Sequence, residues 1–60
     1  MTRQEALSKL KGLHGEVTEI EPTLFAAQID RKWVLFRLRG DTLEQRFDDE
    51  VHSYRWEPVD

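Results

Sequence analysis

The first hydrophobic pattern along the chain has helical spacing. Four apolar residues share one face of this pattern: Ala6, Leu7, Leu10 and Leu13. Thr2 and Glu5 have the spacing of a capping box, in which each side chain accepts a hydrogen bond from the other residue's backbone amide. We therefore predict a helix from about Arg3 to Lys11, or to Leu13 at most, with Gly12 as a candidate left-handed C-cap residue.

The central part of the chain has the alternation of β-strands. Weak alternation over 16–21 ends at Pro22-Thr23, and stronger alternation covers 24–29 and 33–39. The register that keeps apolar residues together pairs Phe25 with Leu38, Ala27 with Phe36, Ile29 with Val34, Ile20 with Phe25 and Thr18 with Ala27. One face of a three-stranded antiparallel meander is then almost wholly apolar.

The opposite face of this predicted meander is mixed. It carries Val17, Glu19, Glu21, Leu24, Ala26, Gln28, Trp33, Leu35, Arg37 and Arg39. In this register the small Ala26 lies between Glu19 and Arg37, so the two long charged side chains can meet over it.

The segment after Gly40-Asp41 fits two structures. Leu43, Phe47, Val51 and Tyr54 recur at helical spacing among polar residues, and Asp41 with Glu44 forms a second possible capping box. Alternatively, Gly40-Asp41 is a hairpin turn, 42–47 is a fourth strand, and His52, Tyr54 and Trp56 line a fifth. We predict the helix, because four apolar residues in register arise by chance less often than one turn dipeptide.

The predicted fold is thus α+β in the order α-β-β-β-α, with a four- or five-stranded meander after the N-terminal helix as the alternative. Residues 1–60 form a single small domain, and 55–60 form a C-terminal tail that folds back through Trp56 and Val59. Hydrophobic residues make up 38% of the chain and charged residues 35%, which is typical of a globular domain. The chain contains no cysteine, no apolar run long enough for a membrane span and no signal-peptide pattern at its start, so we expect a cytoplasmic protein.

Candidate catalytic and metal-binding chemistry is sparse. His14 and His52 are the only histidines, and although His52 follows the acidic run 48–50, the spacing matches no metal-ligand motif. No cysteine nucleophile exists, and Ser53 points away from its neighbour His52 on either a helix or a strand. A domain of 60 residues also offers little room for a substrate-burying pocket. We expect no enzymatic activity, no metal and no cofactor.

By elimination, we expect a small protein-binding accessory module, of a kind that bacteria and phages encode, which occupies a surface of another protein. The predicted partner-binding residues are Trp33, Leu35, Arg37, Arg39 and Trp56, because tryptophan and arginine are enriched at interface hot spots. Two other roles stay open for these residues. The arginines can pair with Glu19, Glu21 or Glu44, and the tryptophans can patch an incomplete core. We expect no membrane partner, and a monomer or a weak homodimer.

The alternative function is a nucleic-acid-associated module that uses Trp33, Arg37 and Arg39, since stacking and guanidinium contacts hold single strands. The α-β-β-β-α order resembles that of double-stranded RNA-binding domains. Residues 42–54, however, are net acidic where that family has a basic second helix, and the whole chain has a net charge of −3. Nucleic acid is therefore the less favoured partner.

Overall fold

A computed structural model describes residues 1–48 and 53–59. These described residues form one helix and five strands: α1 (Arg3–His14), β1 (Val17–Glu21), β2 (Leu24–Ile29), β3 (Lys32–Arg39), β4 (Thr42–Asp48) and β5 (Tyr54–Pro58). The strands form one antiparallel sheet in the order β1-β2-β3-β4-β5. The α+β class and the N-terminal helix are confirmed, whereas the three-stranded meander and the C-terminal helix are wrong.

Helix α1 begins with the predicted capping box. The Thr2 hydroxyl accepts from the Glu5 amide at 3.2 Å, and the Glu5 carboxylate accepts from the Thr2 amide at 2.8 Å. Hydrogen bonding to the Glu5 carboxylate, first from the Thr2 backbone amide and then from the Thr2 side chain, lowers the pKa of Glu5 below its ordinary 4.5. The helix ends later than predicted. Gly15, not Gly12, has the positive φ of 83°, and its amide donates to the Lys11 carbonyl at 2.9 Å.

The hydrophobic core lies between α1 and one face of the sheet, which we call the inner face. Its buried members are Ala6 and Leu10 from the helix, and Phe25, Ala27, Phe36 and Leu43 from the sheet. Met1, Leu7, Val17, Ile29, Val34, Leu38 and Val59 pack around them. A core of this size suits a short chain, in which each large apolar side chain supplies a substantial part of the stability.

The β2–β3 register is displaced by two residues from the predicted one. Phe25 lies opposite Phe36 instead of Leu38, and Ile29 lies opposite Lys32 instead of Val34. The hairpin turn is the reason. Asp30 and Arg31, with φ of 52° and 68°, form a two-residue turn with two positive φ angles, whose twist matches that of the strands. The predicted pairing requires a four-residue loop.

Strand β1 contains a bulge that the sequence pattern does not predict. Its register changes between Glu19 and Glu21, so Glu19 lies opposite Phe25, and Val17 lies opposite Ala27 on the inner face. The predicted placement of Val17 and Glu19 on the other face is therefore wrong. Glu19 pairs with Arg3 of the helix and does not meet Arg37 over Ala26.

Residues 42–58 contain two strands in place of the predicted helix. Leu43 is buried on the inner face opposite Leu38, so β4 extends the hydrophobic face of the sheet. Val51, a member of the predicted helical stripe, and His52 of the alternative fifth strand lie outside the described residues. Residues 55–58, predicted as tail, form most of β5. Val59 does fold back, since its amide donates to the Leu43 carbonyl at 2.8 Å and its side chain packs against the core.

Candidate functional site

The face of the sheet opposite α1, which we call the outer face, carries all five predicted partner-binding residues. Leu35 and Arg37 lie opposite Ala26 and Leu24, and they alternate with the buried Phe36 of the inner face. Trp33 and Arg39 belong to the same alternation along β3. Trp56 reaches this face from β5, where it lies opposite Arg46 of β4.

Arg37 and Trp56 form the centre of the outer face. The Arg37 guanidinium lies over the Trp56 ring, 4.3 Å from its centroid, and Arg37 Nε donates to Glu44 Oε1 at 2.6 Å. Both members of the ion pair are partly buried, so solvent screens them less than it would a fully exposed pair. The guanidinium is therefore fixed by a carboxylate and an aromatic ring together.

A second arginine–aromatic contact continues this arrangement toward the other end of the sheet. The Arg46 guanidinium lies 4.1 Å from the centroid of the Tyr54 ring, and Arg46 Nε donates to the Asp48 carboxylate at 3.2 Å. Arg46 is missing from the predicted site because the sequence pattern predicts a helix over 42–54. Period-two alternation across Glu44, Arg46 and Asp48 is the signal that places it on the outer face.

The most exposed aromatic rings of the outer face are those of Trp33 and Tyr54, at 60% and 57%. Arg39 is also exposed and has no ion-pair partner in 1–48 or 53–59. Trp33 and Arg39 lie at opposite ends of β3, six residues or about 20 Å apart. The structure thus places the predicted residues on one face but does not gather them into one pocket.

A recess lies beside Trp33, where β3 and β4 separate. Backbone pairing of the two strands ends at Phe36 and Gln45. Residues Lys32–Leu35 of β3 are therefore not paired with Arg46–Asp48 of β4. The cavity between them has a volume of about 360 Å³ and is lined by Lys32, Trp33, Val34, Leu35, Gln45, Arg46, Phe47 and Asp48. Its mixture of aromatic, aliphatic and charged walls suits a protruding side chain of another molecule.

The candidate metal ligands do not come together in the part of the chain that the structure describes. No group of three or more histidine, aspartate or glutamate residues there could hold a metal ion. His14 packs against Phe36 on the inner face, with 5.6 Å between ring centroids. The remaining candidates, His52 and residues 49–50, lie outside the described residues.

Comparisons with protein-family models, curated proteins and solved structures found no match to this chain. The fold and the outer face are therefore the basis for any functional argument. Within the described ranges, no helix has both the length and the apolar character needed to cross a membrane.

Proposed function

We propose that this chain is a small, non-enzymatic protein-binding module that acts by occupying a surface of a partner protein with its outer face. The observation that carries the proposal is the set of arginine–aromatic contacts on a sheet face that α1 leaves uncovered. Arg37 with Trp56 and Arg46 with Tyr54 present large planar groups with polar edges, next to the exposed Trp33. Tryptophan, tyrosine and arginine are the residues that most often dominate binding energy at protein interfaces.

The contacts within the outer face also favour binding because they hold the side chains in place. Arg37 is already held by Glu44 and Trp56 in the free protein. Ordering a long side chain on association costs about 0.5–1.5 kcal/mol, and a side chain that is already held avoids much of that cost. Trp33, with the recess beside it, supplies the exposed apolar contact area.

The dimensions of the outer face set the expected affinity. Five strands spaced about 4.8 Å apart and about 20 Å long give the outer face a flat area of roughly 400 Å². A standard protein interface buries about 800 Å² per partner. We therefore expect binding in the micromolar range. A cytoplasmic setting is part of the proposal and is supported by the cysteine-free composition, while a bacterial or phage source is proposed from the short, acidic chain.

The alternative function, nucleic-acid association through Trp33, Arg37 and Arg39, has weaker support. Two outer-face arginines, Arg37 and Arg46, are already paired with carboxylates, so positive and negative charges alternate across the face. Binding of a phosphate backbone needs a continuous positive surface. In fluorescence polarisation with single- and double-stranded oligonucleotides, we expect nothing tighter than about 10⁻⁴–10⁻⁶ M at physiological salt. Saturable nanomolar binding would favour the alternative.

The proposed function is tested by affinity capture from the native host with Trp33→Ala and Leu13→Ala. Leu13 is 58% exposed on α1, outside the outer face, and is thus a matched control for loss of an exposed apolar side chain. We expect Trp33→Ala to lower recovery of the specific partner at least tenfold, and Leu13→Ala to leave it unchanged. If Trp33→Ala lowers the melting temperature but recovery from folded protein stays intact, the tryptophan is structural and the site is wrong.

A further inference from the structure

Strand β5 has a free edge whose backbone groups can be identified. Among residues 1–48 and 53–59, β5 is the last strand of the sheet and pairs with β4 alone. Because the Val59 amide donates to Leu43 of β4, the alternate residues Arg55 and Glu57 also direct their backbone groups toward β4. The backbone groups of Tyr54, Trp56 and Pro58 therefore face the free edge.

The sequence of this edge is complementary to itself. When Tyr-Arg-Trp-Glu-Pro is reversed about its central tryptophan, arginine falls opposite glutamate and tyrosine falls opposite proline. We propose that two copies of the chain associate weakly by antiparallel pairing of their β5 edges, centred on Trp56. The two sheets then continue into one sheet of ten strands. This inference is independent of the proposed function, because it uses the edge of the sheet and not its outer face.

The backbone of this pairing supplies four hydrogen bonds. Each Trp56 amide donates to the Trp56 carbonyl of the other copy, which gives two. Each Tyr54 amide donates to the Pro58 carbonyl of the other copy, which gives two more. Proline has no amide hydrogen, so two further bonds of a regular ladder are absent. The pairing is thus possible but weaker than that of an interior strand.

The charged side chains of β5 provide the specificity. Arg55 and Glu57 are 60% and 48% exposed, and they point to the inner face. In the proposed dimer, Arg55 of one copy lies directly opposite Glu57 of the other in a non-hydrogen-bonded pair, in which side chains approach most closely. The symmetry produces this ion pair twice. Arg55 is also positioned by the Phe47 ring, whose centroid is 5.4 Å from its guanidinium carbon.

The opposite edge of the sheet lacks this complementarity. Strand β1 is interrupted by its bulge, and antiparallel pairing about its central residue would place Glu19 against Glu19. Like charges directly opposite each other disfavour such pairing. The geometry therefore selects β5 as the self-associating edge.

The helices leave room for the β5 pairing. α1 packs mainly against β1 and β2, which are four and three strands away from β5, and it reaches the end of β5 through Lys9 Nζ, which donates to the Val59 carbonyl at 3.1 Å. In the paired sheet the two β2 strands are seven spacings apart, or about 34 Å, which exceeds the diameter of a helix of about 10–12 Å. A single strand edge buries much less than the roughly 800 Å² per partner of a standard interface, so we expect a dissociation constant of about 0.1–1 mM.

Sedimentation equilibrium with charge-reversal variants tests the pairing. The wild type should shift from monomer toward dimer as its concentration rises to about 1 mM. Arg55→Glu leaves two acidic side chains on the edge and Glu57→Arg leaves two basic ones, so each variant alone should weaken dimerisation at least about tenfold. An equimolar mixture of the two variants should restore it, because every opposed pair is then oppositely charged. Lys11→Glu, an equal change of charge on an exposed position of α1, should dimerise like the wild type.

Several outcomes would overturn the proposal. The pairing is contradicted if the wild type stays monomeric at about 1 mM, or if each single variant dimerises as the wild type does. A mixture that remains monomeric while each variant is folded by circular dichroism would also overturn it. The mixture separates the pairing between copies from the ion pair within one strand, in which Arg55 Nε lies 3.4 Å from Glu57. Both variants lose that internal ion pair, and mixing them cannot restore it.

Discussion

Phe36→Ala is the substitution that best tests how the sheet is oriented. Phe36 is fully buried on the inner face, lies opposite Phe25 and contacts the ring of His14. An aromatic side chain buries about 150–250 Å², so losing about 150 Å² at 25 cal/mol per Å² costs about 4 kcal/mol. The observed range for such core truncations is about 3–5 kcal/mol. Chains of this length have roughly 3–9 kcal/mol of stability, so Phe36→Ala should remove from nearly half of it to all of it.

Leu35→Ala is the matched comparison because it changes the adjacent residue on the other face. Leu35 is only partly buried, and its truncation should cost about 1–2 kcal/mol, less than that of a fully buried leucine. Phe36→Leu, which retains most of the volume, should cost about 1 kcal/mol and remain measurable if Phe36→Ala does not fold. With a urea dependence of about 1 kcal/mol per M, Phe36→Leu lowers the midpoint by about 1 M.

Urea denaturation followed by tryptophan fluorescence measures these costs, since Trp33 and Trp56 report on β3 and β5. The expected order of destabilisation is Phe36→Ala, then Leu35→Ala. If Leu35→Ala destabilises the protein as much as Phe36→Ala or more, the inner and outer faces are reversed, and the placement of the candidate site fails with them.

Two further predictions concern local structure. Arg31→Gly should raise the free energy of unfolding by about 0.5–1 kcal/mol, because Arg31 has a φ of 68° that glycine adopts without strain; an unchanged or lower urea midpoint would contradict this turn. The capping carboxylate of Glu5 should make stability depend on pH. Because folding lowers its pKa, its contribution is present above its ordinary value of 4.5 and is lost as pH falls through the lower folded value. Thermal melts at pH 7 and pH 3 should therefore show the gap between wild type and Glu5→Gln narrowing in acid, and a gap independent of pH would refute this role.

The helix was predictable because its signals are local. The capping box joins residues three apart, and the buried Ala6 and Leu10 belong to the helical stripe in the sequence. The end of the helix was less predictable. Gly12 and Gly15 can both serve as a C-cap residue. Gly15 takes this role because the chain turns toward β1 at that point.

The faces of β2 and β3 were predicted correctly, whereas their register was not. A shift of two residues leaves every side chain on the same face, so apolar alternation cannot distinguish the observed pairing from the predicted one. The two-residue turn at Asp30-Arg31 decided between them. In β1, the bulge moved Val17 and Glu19 to the other face, and no residue pattern in the sequence marks that bulge.

Residues 42–58 show what only the tertiary structure decided. Leu43 and Phe47 are four residues apart, a spacing that fits one face of a helix and one face of a strand equally well. The pairing of β4 with β3 and of β5 with β4 resolved this ambiguity, and it brought Arg46, Tyr54 and Trp56 onto the outer face with Arg37. The sequence by itself determined a small α+β domain with a capped helix and an apolar sheet face, because these depend on short-range periodicity. The tertiary structure decided the number of strands, their registers and the arginine–aromatic contacts, because these depend on backbone hydrogen bonds between segments that are distant along the chain.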